Sequence, residues 1–284
     1  MSFRKEILDS IQQIPPMPMV AIRLANLLND PSVDIGVLVE TVKYDPGLTA
    51  QLIRMANSAY FSSATEVTSL KDTLVRLGNN QLFSFVIATT VRPILDTPLK
   101  GYSLETGELW QHSVAVAVCA EKFEMDLLKG TNGEIAFTTG LLHDMGKLVM
   151  STFVEDLTEK IKSFSFGKQL SFEKAEMEIF DIDHTEVGAV LLENWGFPEE
   201  IVSVVRWHHD PNHASENQYL TDLVHIADSV CMSLGVGVGI DGLCYNLCSE
   251  SCERLGLDIL KLELLASSTI EKMELVNQMF SGAV

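Results

Sequence analysis

The run between residues 135 and 153 is largely apolar, yet Gly140-Leu141-Leu142-His143-Asp144-Met145-Gly146-Lys147 stands at its centre. An imidazole and a carboxylate side by side in such a run are carried into the interior, where each costs free energy unless a partner satisfies it. A metal ion would satisfy both. With the segment helical over residues 134–153, Lys147 follows His143 by four residues and Asp144 by three, so all three heads share one side of the helix. Any fold open to this chain has to bury that polar knot and bring partners to it.

The remaining pattern is helical, with no alternating strand and no internal repeat. Ile14-Pro15-Pro16-Met17-Pro18-Met19 is an extended entry strap, because three prolines fix φ and remove donors. Apolar residues three and four apart then mark helices over 20–29, 34–44 and 46–58, with Asp34 capping the second and Asp45-Pro46 opening the third. Helices over 69–77 and 79–91 are separated by Gly78, suited to a C-terminal cap. Pro93, Pro98 and Gly101 mark a break. This predicts an all-α chain with two parts: an N-terminal helical lobe over 1–95, and a helical domain over 96–284. Helices are expected over 105–123, 171–180, 184–195, 198–209 and 220–234. A flexible Gly235-Val236-Gly237-Val238-Gly239 follows, then further helices.

The net charge of −19 and the lack of a basic stripe exclude a phosphate-backbone binder, whose affinity comes from clustered Lys and Arg. The same charge repels anionic small molecules, so phosphate chemistry would need local compensation by metal ions and by cations such as Lys147 and Arg206. No segment approaches the roughly 18 apolar residues of a membrane span, and the N-terminus has no apolar signal core, so a cytoplasmic protein is expected. Five cysteines read as free thiols. Cys244, Cys248 and Cys252 share a helical face, and with Cys119 and Cys231 they are expected to be packed rather than metal-bound.

Beyond residue 96 the histidines accumulate. His112, His143, Asp144, His184, His208, His209 and Asp228 fall on five successive helical segments, and side chains of facing helices converge in bundle-core metal sites. A single histidine of this kind is usually a hydrogen-bonded core residue; the set points to a shared site. Imidazole with carboxylate and no thiolate suits iron or manganese, with zinc as a third choice.

These residues resemble those of the HD-domain metal-dependent phosphohydrolases, named for the His-Asp doublet, in the branch that includes the HD-GYP cyclic di-GMP phosphodiesterases. Asp45-Pro46-Gly47-Leu48, Arg54-Met55-Ala56-Asn57-Ser58 and the Pro-rich entry resemble the HDOD domain, a related bacterial signalling module. The resemblance covers roughly residues 14–234 and implies an HD-like bundle preceded by the small lobe. It implies two metals: His112, His143, Asp144 and Asp228 at the first, with Asp144 bridging, and His184, His208 and His209 at the second. Glu108 matches a glutamate used by some HD-GYP proteins for a third metal, and Lys147 matches a lysine that contacts a substrate phosphate. Arg206 is a second candidate phosphate contact. After His208-His209 the chain reads Asp210-Pro211-Asn212-His213, where the cyclic di-GMP phosphodiesterases carry a Glu and a Gly-Tyr-Pro signature.

Three functions follow. The first is a signal-transduction HDOD module that keeps a di-metal site and binds a partner protein or a nucleotide. The second is a phosphohydrolase acting on a nucleotide or cyclic dinucleotide, with Asp144 and Lys147 catalytic; metal-assisted attack needs no Ser or Cys nucleophile. The third is a metal-free interaction scaffold. Residues 154–183 either cover the site or pack beside it.

Overall fold

The computed structural model describes residues 2–28, 35–58, 61, 66–128, 130, 133–168, 170–242 and 247–281. In chain order the helices are α1 (Phe3–Ser10), α2 (Met19–Leu28), α3 (Ile35–Val42), α4 (Pro46–Ala56), α5 (Leu70–Leu95), α6 (Glu108–Lys122) and α7 (Gly133–Leu142). They continue as α8 (Lys147–Lys168), α9 (Phe172–Phe180), α10 (His184–Asn194), α11 (Glu199–Trp207), α12 (Gln218–Ser233), α13 (Ser249–Arg254) and α14 (Ile259–Ser281). Among the described residues there is no β-strand, only an antiparallel bridge between Leu99 and Leu104. No described helix is long and apolar enough to cross a membrane.

Local signals set several helix starts. Asp45 accepts a hydrogen bond from Leu48 N at 2.9 Å with Pro46 in the first turn of α4, and Ser69 accepts from Asp72 N at 3.0 Å at the start of α5. Gly78 breaks α5 with φ 74° and ψ 167°, a conformation open to glycine. Asn29 and Asp34, expected at the end of the first and the start of the second of these segments, lie outside the described residues.

Buried side chains from Ile7 to Val276 form one continuous core. Arg4 pairs with Glu186 of α10 at 2.6 Å and Phe3 meets Phe180 of α9 edge-on at 5.4 Å, so the amino-terminal end closes over the carboxy-terminal half.

Three expectations need correction. The doublet does not lie in one unbroken helix: α7 ends at Leu142, α8 begins at Lys147, and the turn between them carries Met145 N→Leu142 O and Lys147 N→Asp144 O bonds at 3.2 and 3.0 Å. This turn packs closely on α10 at Gly146, where a Cβ would stand 1.9 Å from His184 O and 2.6 Å from Gly188 N. The glycine segment 235–239 is not loose but lies against α6 and the 3-10 turn Lys100–Tyr102, with Ile240 N donating to Tyr102 O at 2.9 Å. Finally, Cys248 stands at the start of α13, half-buried, while Cys252 on the same helix is half-buried but packed against the core, and Cys119 and Cys231 are buried as expected. Cys244 lies outside the described residues.

Candidate metal centre

Each candidate ligand is set by a local feature of its element. His112 sits in the second turn of α6, and α7 can approach it closely because Gly140 has no side chain; a Cβ there would be 3.0 Å from Ala117 Cα. His143 and Asp144 occupy the α7–α8 turn. His184 is the first residue of α10, whose start is capped by Asp183 accepting from Glu186 N at 2.9 Å. His208 and His209 follow the end of α11, and Pro211 opens the next 3-10 turn. Asp228 comes from the middle of α12.

These seven side chains converge. His112 Nε2 is 3.1 Å from Asp228 Oδ1 and 3.6 Å from Asp144 Oδ2, and His143 Nε2 is 3.3 Å from Asp144 Oδ2 and 3.8 Å from Asp228 Oδ1. On the other side of the same carboxylate, Asp144 Oδ1 is 3.6 Å from His184 Nε2 and 3.9 Å from His208 Nε2. Ligand atoms of His112, His143 and Asp144 lie within 4.8 Å of one another, and so do those of Asp144, His184, His208 and His209. Asp144 is common to both groups. All seven side chains are at most 5 % exposed.

Hydrogen bonds made by the opposite ring nitrogen fix the tautomers. His112, His143 and His208 donate from Nδ1 to the carbonyls of Val236, Gly140 and Val205 at 3.1, 2.7 and 2.7 Å. His184 donates from Nδ1 to Glu176 Oε2 at 2.6 Å. A neutral imidazole that donates from one nitrogen presents a lone pair at the other. Nε2 of His112, His143 and His208 and Oδ1 of Asp144 and Asp228 accordingly meet in the interior without a hydrogen bond among them. Acceptors facing acceptors in a buried space repel, and a cation is what such a set fits.

The electrostatics follow from this crowding. Burial, reinforced by His143, pushes His208 down to about 3, and burial with His208 holds His209 well below the usual imidazole range. Asp228 is held at about 2: burial opposes this, but the adjacent His112 and His143 prevail. Asp144 is likewise kept well below its ordinary value against burial, by His143 and Lys147. His184 moves up to about 9 despite burial because Glu176 stabilises its cation.

The other sequence candidates are placed differently. Lys147 is 2 % exposed, with Nζ 2.7 Å from Asp144 Oδ2 and 2.6 Å from Asp241 Oδ2. Glu108 accepts from Glu105 N at 2.7 Å at the start of α6 and belongs to neither ligand group. Arg206 pairs with Glu193 at 2.6 Å, and no hydrogen bond or ion pair among the described residues joins it to the cluster. Sequence reasoning missed Glu176, fully buried and bonded to both His184 and Tyr102 OH, and Asp241, 1 % exposed beside Lys147. A buried-face glutamate in α9 and an acidic residue closing a glycine run were the only signals, and both are weak. Segment 154–183 packs beside the centre through Glu176.

An all-α, HD-like bundle with a His and Asp cluster at its middle is the class this chain belongs to. Residues 14–211 match the model of the HDOD domain, and the chain is a member of the HDOD family. An HDOD domain protein of unknown function from Geobacter sulfurreducens superposes with a TM-score of 0.77 at 25% identity, covering 97% of this chain and 99% of that one. A candidate phosphohydrolase from Shewanella amazonensis gives 0.70 at 24% identity, with 96% and 97% covered. A candidate signal transduction protein from Marinobacter aquaeolei gives 0.73 at 22%, with 100% and 61% covered. An uncharacterized protein of Treponema pallidum is 23% identical over 214 residues, 74% of this chain; the match spans about two fifths (40%) of that protein's length.

Proposed function

We propose that this HDOD protein is a signal-transduction module built around a retained centre for two divalent cations. The observation that carries the reading is the meeting of the buried Nε2 atoms of His112, His143 and His208 with Asp144 Oδ1 and Asp228 Oδ1, none of which has a hydrogen bond. His112, His143, Asp144 and Asp228 would hold one cation and Asp144, His184, His208 and His209 the other. The thiolate-free donor set suits iron or manganese before zinc. Bound there, divalent cations supply charge neutralisation and Lewis acidity toward a phosphate-bearing ligand.

The chain's own residues do the rest. The carbonyls of Gly140, Val205 and Val236 and the Glu176 carboxylate orient the rings, as outer partners of metal-ligating histidines generally do. The ligands come from α6, the α7–α8 turn, α10, the end of α11 and α12, so occupancy would tie these elements together and alter the surface offered to a partner protein or nucleotide.

A second reading, phosphoester hydrolysis, is favoured by the shared position of Asp144 between two ligand groups. Against it stand the buried pairing of Lys147 with two carboxylates and the absence of the Glu and Gly-Tyr-Pro residues after His209.

The test is elemental mass spectrometry of protein purified without oxygen, chelator or added metal, beside His143→Ala/Asp144→Ala. Two equivalents in the parent, absent from the double variant, are expected. A metal-free parent that stays so after reconstitution with iron, manganese or zinc would overturn the proposal. Turnover of bis(4-nitrophenyl) phosphate or a cyclic dinucleotide by the loaded protein would move the assignment to the hydrolase.

A further inference from the structure

The segment after α12 ends far outside the matched region 14–211, yet it is built into the centre at three points. Val236 O accepts the Nδ1 proton of His112 at 3.1 Å. Gly237, at φ +56°, lies so close to α6 that a Cβ would stand 2.2 Å from Glu108 O and 3.0 Å from His112 N. Asp241, 1 % exposed, reaches Lys147 Nζ at 2.6 Å. Between the first and last of these, Gly239 passes so near Tyr102 O that a Cβ would be 2.2 Å away, and the Tyr102 ring lies 5.6 Å from Lys147 Nζ.

Lys147 thus stands between two buried carboxylates of different kinds. Asp144 Oδ2 faces the candidate cations, being 3.3 Å from His143 Nε2 and 3.6 Å from His112 Nε2; Asp241 belongs to the strap. A lysine cation 2.7 Å from a would-be ligand oxygen competes with a metal for that oxygen and repels it, the more strongly in a low-dielectric interior. Asp241 draws the same ammonium group the other way. Its charge is therefore felt at the metal through Lys147, although it is not placed as a ligand.

We infer that Asp241 is a positioning residue which, by sharing Lys147 with the bridging carboxylate Asp144, sets the cation affinity of the centre, and that the 236–241 strap makes this setting depend on the carboxy-terminal segment. The inference rests on the di-metal reading above and adds to it a residue and a sign. Neutralising Asp241 leaves the lysine charge to Asp144 and weakens cation binding. Neutralising Lys147 removes the competitor and strengthens it. Removing both charges returns the affinity toward that of the parent.

The experiment is calorimetric titration of the full chain with Mn²⁺, under anaerobic conditions after chelator removal, for the parent, Asp241→Asn, Lys147→Met and the double variant. A loss of about tenfold or more in Asp241→Asn is expected, in the range of outer-partner substitutions at metal sites. Lys147→Met should bind at least as tightly as the parent, and the double variant should recover most of the loss. A strap that merely supports the fold would give weakened binding in both single variants and no recovery in the double. Thermal unfolding in chelator supplies the second measurement: each single variant leaves a buried charge short of its partner and lowers Tm, and the double variant lowers it by less than the sum. Strictly additive losses in Tm, or unchanged Mn²⁺ affinity in Asp241→Asn, overturn the inference while leaving the di-metal reading intact. A parent that binds no Mn²⁺, iron or zinc overturns that reading and the metal-setting role of Asp241 together.

Discussion

Helix α12 buries two aspartates, Asp222 and Asp228, and they are satisfied in opposite ways. Asp222 is surrounded by donors from the chain: Ser251 Oγ at 2.5 Å, Arg254 Nη2 and Nε at 2.6 and 2.7 Å, and Gln218 Nε2 at 3.2 Å. Asp228, two turns later, turns Oδ1 toward the Nε2 atoms of His112 and His143, which bring lone pairs instead of protons. The histidines repeat the contrast. His225 spends both nitrogens on the fold, donating to His208 O at 2.7 Å and accepting from Cys248 N at 2.9 Å, whereas His208 uses only Nδ1 for its backbone bond. A buried polar group supplied by its own chain holds the fold. One that faces other acceptors asks for charge from outside, and that distinction separates structural from functional burial in this molecule.

The comparison breaks most sharply at the doublet. His143→Ala/Asp144→Ala should lose the whole metal-dependent rise in Tm, about 4 kcal/mol where metal is a thousandfold above its Kd, while in chelator Tm falls only through the loss of one of the two carboxylates beside Lys147. Equal Tm values for the parent with and without metal would erase the contrast between the two aspartates. Asp222→Ala should cost about 2–3 kcal/mol by stranding Ser251 and Arg254, equally in metal and in chelator; a metal-dependent loss would place Asp222 with the centre instead. Glu176→Gln, which weakens the carboxylate behind His184, should reduce affinity for one of two cations by about 10–100-fold in a titration and leave the other unchanged.

Acidity offers a fourth handle, in metal-free protein. His208 has a folded pKa of about 3 against an ordinary 6.5, so below pH 6.5 the unfolded chain takes up a proton that the folded one refuses. Stability then falls as pH drops from 6.5 toward 3, by about 1.4 kcal/mol per unit for one group. His184, raised to about 9, acts in reverse: its contribution is complete below 6.5 and fades as pH rises through 9. Chemical denaturation in chelator should therefore show a maximum near pH 6.5, and saturation with metal should flatten the acid limb. A monotonic profile in chelator would show that the imidazole crowding is relieved by some other route. The smallest effect is expected from Arg206→Ala, which removes a partly exposed pair with Glu193 worth under about 1 kcal/mol and should leave metal content unchanged.

Much of this was legible in the chain. Helical periodicity set the fold class, and Asp45-Pro46, Ser69 and Gly78 marked real ends and breaks. Of the eight candidate ligands, the seven histidines and aspartates came together and Glu108 did not, because it spends its carboxylate on Glu105 N at the start of α6. Lys147 was read as one helical turn from Asp144, and the contact is present although a tight turn, not a helix, makes it. Its pairing with Asp241 was not legible, since a glycine run reads as mobile until the surface it lies on is known.

The sequence by itself determined the donor types, their order on successive segments, and the burial forced on the doublet by its apolar flanks. Only the tertiary structure decided which nitrogen of each ring faces the centre, that Glu176 stands behind His184, and that Asp241 shares Lys147 with Asp144. The physical reason is range. Periodicity and capping act over a few residues, whereas the bond that fixes His112 spans 124 residues and the Arg254–Asp222 bonds span 32. The His112 bond is made where Gly237 lets its backbone approach α6 closely, a juxtaposition no local pattern specifies.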